Sequence, residues 1–233
     1  MDKILEFWFE GLNDQTVIDK RAFPAKKWFI KNRRVDDEIR EAFEHDLIRA
    51  GQGEFKDWER SARGRLALVI LFDQFPRNIY RNTPKMFAYD PLALDLAVRS
   101  IREEKDQELQ LIERVFLYMP LMHAEDVKTQ TWSVERFTHL LTSAQLMEHA
   151  RRAKGGRDTD YRNVPLLLGK SVVRESSEKS PANTPYYEYT LGYARRHFSI
   201  IEKFGRFPHR NSILGRTSTM AELEFLNTPN ASF

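Results

Sequence analysis

Apolar residues recur along this chain with a helical period. Ile39, Phe43, Leu47 and Ala50 fall at i, i+4, i+8 and i+11, one face of a helix whose first turn carries Asp36, Asp37 and Glu38. Gly51 follows at the place of a C-terminal glycine. Arg65 to Phe75 reads as a second, largely apolar helix that Pro76 should kink or end. Asp90-Pro91 has the form of an N-cap and an N1 proline, opening a helix with Leu94, Ala97, Val98 and Ile101 on one face. Asp106 is placed to cap the next, in which Leu109, Ile112, Phe116 and Met119 recur until Pro120 stops it. Glu125 to about Met147 carries Val134, Phe137, Leu141 and Ala144 on one stripe. A last long helix is expected from about Tyr187 to Lys203, with Leu191, Ala194, Phe198 and Ile201 inward and Gly205 at its end. Thr219 and Glu222 form a capping box for a short C-terminal helix. No run alternates as a strand would. The pattern predicts an all-α protein whose short connections pair successive helices antiparallel.

Composition narrows the class. A chain of 233 residues with 41% hydrophobic and 12% aromatic residues can bury a sizeable core as one domain, residues 1–233. Its net charge of +3 is too small to announce a nucleic-acid or membrane protein. There is no cysteine, which removes disulfides, thiolate metal sites and cysteine nucleophiles together. The longest apolar run, Leu66 to Phe72, is far short of a membrane span. The opening Met-Asp-Lys-Ile-Leu-Glu-Phe-Trp-Phe-Glu is amphipathic and broken by acids, unlike a signal peptide, so a soluble cytoplasmic protein is expected.

One segment differs. Residues 149–181 hold eight Lys/Arg and four Asp/Glu and are rich in Gly, Ser and Pro. Two readings stand side by side: a solvated, mobile insertion, or a basic arm that docks phosphate, RNA or another acidic partner. The tryptophans Trp8, Trp28, Trp58 and Trp132 read as core or half-buried packing.

The chain lacks a phosphate-binding Gly-Lys-Ser/Thr loop, a dinucleotide fingerprint, a His-Glu-x-x-His pair and a Gly-x-Ser-x-Gly elbow. No cofactor is expected. What stands out is a set of polar residues in apolar surroundings. The first is Asp73-Gln74-Phe75-Pro76-Arg77-Asn78-Ile79-Tyr80-Arg81, directly after the apolar run. The second is Met122-His123-Ala124-Glu125-Asp126. The third is His197, followed by Phe204-Gly205-Arg206-Phe207-Pro208-His209-Arg210-Asn211 and Leu214-Gly215-Arg216.

These stretches, with Ile4-Leu5-Glu6-Phe7-Trp8-Phe9, closely resemble the mainly bacterial family catalogued as domain of unknown function 924. The motifs Leu-x-Asp-Gln-Phe-Pro-Arg-Asn and Phe-Gly-Arg-Phe-Pro-His-Arg-Asn carry the resemblance, which covers roughly residues 2–147 and 190–226. It implies helix pairs in a tetratricopeptide-like, right-handed superhelical arrangement, and it brings no established activity. Ala124 stands where a serine is common in the family, and 149–181 looks like an insertion relative to shorter members.

If the three stretches converge, five arginines (Arg77, Arg81, Arg206, Arg210 and Arg216) meet three acids (Asp73, Glu125 and Asp126), an excess of two positive charges. Such an excess points to a concave site for a carboxylate or phosphate, with His123, His197 and His209 able to move protons and Asn211 beside them. The favoured expectation is a helical binding module for a small anionic ligand or acidic peptide. The first alternative is an enzyme using His123 or His209 as acid or base. The second is an interaction protein that binds through residues 149–181, its polar cluster holding the fold. A metal at His123, Asp126, His197 and His209 is disfavoured, because the surrounding arginines repel a cation and no ligand spacing is recognisable.

Overall fold

Helix ends explain most of the boundaries observed in the computed structural model, which describes residues 1–18, 25–153, 183–229 and 231. Among the described residues the secondary structure is helical and contains no strand. The elements are α1 (Asp2–Phe9), α2 (Ala25–Phe29), α3 (Arg33–Gly51), α4 (Ala62–Val69), α5 (Phe75–Ile79), α6 (Asp90–Arg102), α7 (Leu111–His123), α8 (Val127–Ala153), α9 (Thr184–Phe204) and α10 (Met220–Leu226). Asn32 caps α3 by accepting from the Arg34 amide, and Ser61 caps α4 by accepting from the Gly64 amide. Thr219 and Glu222 make the expected capping box of α10, and Gly205 closes α9 at φ 69°. The basic segment expected at about 149–181 lies outside the described residues from 154 onward, its first residues completing α8.

Three local expectations are corrected. Asp90 is the first residue of α6 with Tyr89 as N-cap, and its carboxylate turns away from the helix amides to Arg77. Gln110 with Glu113, and not Asp106, makes the cap of α7; Asp106 is buried and accepts the Tyr118 hydroxyl instead. Pro120 does not stop α7, which runs a further turn to His123. Gln130 from α8 donates to the Met122 and Ala124 carbonyls at that end, satisfying acceptors that a helix terminus leaves open.

Neighbours in sequence are neighbours in space. α3 lies on α5, α6 on α4 and α7, and α8 on α7 and α9. This succession is compatible with a tetratricopeptide-like stack. The main core is aromatic: Phe43 stacks on Phe75 at 4.8 Å, and Trp28 meets Phe116 edge-on at 4.8 Å, with Trp8 between Phe75 and Phe116. Gly64 lets α4 approach the preceding turn, since a Cβ there would stand 2.0 Å from the Trp58 carbonyl oxygen. A second, smaller core joins Ile200, Ile201 and Phe207, with Phe204 and Phe225 against it. Of the polar residues singled out in the sequence, Asp73, Arg77, His123, His197, His209 and Arg210 gather between Met122 of the main core and Phe207 of the smaller one. No described helix is long and apolar enough to cross a membrane.

Candidate functional site

The site begins with an irregular turn. Between α4 and α5 the backbone widens into a π turn, Ile70–Gln74, closed by the Phe75 amide donating to the Ile70 carbonyl. Pro76 has no amide hydrogen to donate back into this stretch, so the regular ladder is already broken there. The wider turn buries Asp73 and Gln74 together. The Asp73 carboxylate accepts from the Gln74 amide side chain, and Gln74 also reaches the Met119 sulfur at 3.2 Å.

Asp73 faces His123 at the end of α7, its Oδ1 2.7 Å from Nδ1. Arg77 lies 3.3 Å from the same oxygen and grips Asp90 with two bonds, of 2.8 and 3.0 Å. Burial drives the Asp73 carboxyl upward, but Arg77, His123 and Gln74 outweigh it and hold the pKa at about 2. Asp73 is therefore ionised, and Nδ1 must carry the hydrogen of the neutral imidazole. The opposite nitrogen, Nε2, makes no hydrogen bond among the described residues. Burial lowers the His123 pKa, with Asp73 opposing and Arg77 adding to the fall.

His197 and His209 complete a histidine group. The His197 ring stands 6.0 Å from His123 and 5.4 Å from Phe207, and its Nδ1 donates to the Tyr193 carbonyl at 2.8 Å. Burial, then the neighbouring His123, pushes its pKa well below the ordinary value. His209 lies beside Phe207, and burial with the nearby Arg210 charge brings it down to about 4. All three histidines are thus neutral near pH 7.

Arg210 differs from the other arginines. It is 7% exposed, and the rings of Phe87 and Phe207 lie 4.6 and 4.5 Å from Cζ. It donates to the His123 carbonyl at 3.0 Å, its nearest carboxylate is Asp90 at 3.7 Å, and its buried Nε has no acceptor. Burial and the like charge of Arg77 lower its pKa to about 10, whereas at Arg77 burial is outweighed by the Asp73 and Asp90 carboxylates, which raise the pKa. Arg210 thus keeps an unfilled donor with no carboxylate in direct hydrogen-bond contact, whereas Arg216, whose Nε is also unfilled, is held by Glu125.

The rim is built from the α7–α8 corner and the segment after α9. Glu125 accepts the Phe207 amide at 2.8 Å and pairs with Arg216 through bonds of 2.6 and 3.0 Å. Burial opposes ionisation of Glu125, but these donors prevail and its pKa is lowered. The His123 and Arg77 side chains remain 16% and 17% accessible, although burial is the largest influence on both. Both side chains thus keep a small opening to solvent, a recess among buried polar groups.

Not every sequence candidate belongs there. Arg81 is held by Asp36 of α3, together with Asn78. Arg206 is held by Glu222 of α10. Asp126 caps α8 through the Thr129 amide and hydroxyl, and Asn211 ties its turn to Ser218. The reading missed Asp36, Asp90, Glu222 and the ring of Phe87. Asp90 and Glu222 carried helix-start signals that hid their second role, and nothing in the sequence links Asp36 to Arg81. The charge count changes accordingly: the five arginines meet five acids (Asp36, Asp73, Asp90, Glu125 and Glu222), and the expected excess of two disappears. Among the described residues no group of three or more His, Asp or Glu is arranged to hold a metal ion.

Comparison with known proteins agrees with these motifs. No curated protein matches the chain. A solved structure, that of a protein of unknown function from Agrobacterium tumefaciens, is 31% identical, covering 97% of this chain and 96% of its own, with a TM-score of 0.66. The model of a bacterial family of unknown function matches residues 4–230, so the chain belongs to the family catalogued as domain of unknown function 924.

Proposed function

We propose that the recess between the two cores binds a small anion on Arg210. One observation carries this reading: a guanidinium more than nine-tenths buried, with its Nε unpartnered and its nearest carboxylate 3.7 Å away. A buried donor without an acceptor costs about 1–3 kcal/mol, and an anion in the recess recovers it. The support is this local vacancy in hydrogen bonding and not a net positive charge.

The test is thermal denaturation of the wild type and Arg210→Lys in propionate, inorganic phosphate and sulfate. An anion at 100 times its dissociation constant stabilises the wild type by about 2.7 kcal/mol. The expected result is stabilisation that Arg210→Lys loses. No stabilisation by any of the three anions overturns the reading.

The Asp73–His123 couple favours a second reading. A carboxylate that fixes the Nδ1 hydrogen leaves Nε2 as a base beside the anion, and Arg210 would stabilise negative charge developing there. Diethyl pyrocarbonate should then modify His123 at Nε2, and a saturating anion should slow that modification. An unreactive His123 removes this reading and leaves the first untouched.

A further inference from the structure

Resting on the reading of Arg210 as an anion site, we propose that the recess selects a planar, singly charged carboxylate and rejects doubly charged phosphoryl groups. Charge is the first reason. Asp73, Asp90 and Glu125 all act on Arg210 through space, as does Arg77. Arg216 is spent on Glu125, and Arg77 is shared between Asp73 and Asp90. Three guanidinium groups therefore face three carboxylates, and the histidines beside them are neutral. One added negative charge meets the unfilled donor of Arg210; a second has no cation left to meet and adds to the repulsion from three carboxylates.

Shape is the second reason, and it is independent of the first. The Phe87 and Phe207 ring centroids lie 4.6 and 4.5 Å from the Arg210 Cζ, so aromatic rings crowd the guanidinium. The N–H donors of a guanidinium all lie in its plane, so a ligand binds at its edge. A carboxylate brings two coplanar oxygens to that edge. A tetrahedral phosphoryl group also carries oxygens out of that plane, which must be fitted beside the electron-rich Phe87 and Phe207 rings.

Titration calorimetry at pH 8 tests this, with propionate and dimethyl phosphate as single charges and inorganic phosphate mostly as a double one. Propionate should bind at least about tenfold more tightly than either phosphorus probe. Inorganic phosphate binding as tightly as propionate overturns the selection but leaves the Arg210 site standing, and so does dimethyl phosphate binding as tightly. Failure of all three probes to bind overturns the site itself. Asp90→Asn keeps Arg210 and removes one carboxylate charge, so it should narrow the preference over inorganic phosphate by about tenfold. An unchanged preference in a folded Asp90→Asn protein overturns the charge argument.

Discussion

His123 and Asp73 stand 50 positions apart in the chain, yet the imidazole Nδ1 lies 2.7 Å from the carboxylate oxygen. The contact joins the end of α7 to the π turn after α4, and it sets the tautomer of the ring. Asp73→Asn removes the ionised acceptor and leaves Arg77 to Asp90 alone. Breaking a buried pair in this way costs about 3–5 kcal/mol. Urea denaturation should show that loss. Nitrogen NMR of the His123 ring should show a single Nδ1–H tautomer in the wild type and a mixture in the variant.

Stability should fall with acid well above the range of ordinary carboxylates. His123, His197 and His209 all have folded-state pKa values below that of the unfolded chain, His209 at about 4 against 6.5. The unfolded chain therefore binds more protons below pH 6.5. The stabilisation is complete above that pH and is lost as pH falls toward 4. Urea midpoints measured between pH 7.5 and 4.5 should decline through this window, and His209→Gln should decline less steeply. A flat profile down to pH 4.5 would contradict the buried neutral histidines.

Glu125 couples the segment after α9 to the α7–α8 corner through the Phe207 amide and Arg216. Glu125→Ala strands both donors, at about 1–3 kcal/mol for each buried group left unmade. Hydrogen exchange should quicken at residues 206–216 while the amides of α3 and α6 keep their protection. Uniform quickening throughout would show instead that this corner unfolds only with the whole protein.

Gly64→Ala should be among the most damaging single-methyl additions. The new Cβ would stand 2.0 Å from the Trp58 carbonyl oxygen, backbone that cannot swing aside. The cost is expected at the upper end of the 1–3 kcal/mol typical of overpacking, or about 3 kcal/mol. The thermal midpoint reads it directly, and Gly192→Ala, which meets nothing within 4 Å, is the control.

The helices were legible because their signals are local. The stripe of Ile39, Phe43, Leu47 and Ala50 is buried in α3 as its period requires, and the Thr219–Glu222 box lies where its spacing placed it. The site was legible only in part. Asp73, Arg77, His123, His197, His209 and Arg210 drew notice as polar residues in apolar stretches, and they meet. Their partners did not, because pairing across α3, α6 and α10 is a tertiary fact that no short-range pattern encodes. Asp90 shows the difficulty: Asp-Pro at a helix start is ordinary capping chemistry, and that local sufficiency concealed its bonds to Arg77. Pro120 misled in the opposite sense: it removes one amide donor, yet α7 continues past it to His123.

The π turn at Ile70–Gln74 holds one residue more than a regular helix would need over the same rise. Deleting a single residue from it would let α4 and α5 fuse into one continuous helix, short only of the bond that Pro76 cannot donate. It would also swing everything beyond the deletion by about 100° around the axis. Arg77 would then point away from Asp90 and the carboxylate of Asp73 away from His123. Where that carboxylate stands is thus fixed by counting: homologues that keep the spelling of this stretch but shorten it by one letter should keep the fold and lose the recess.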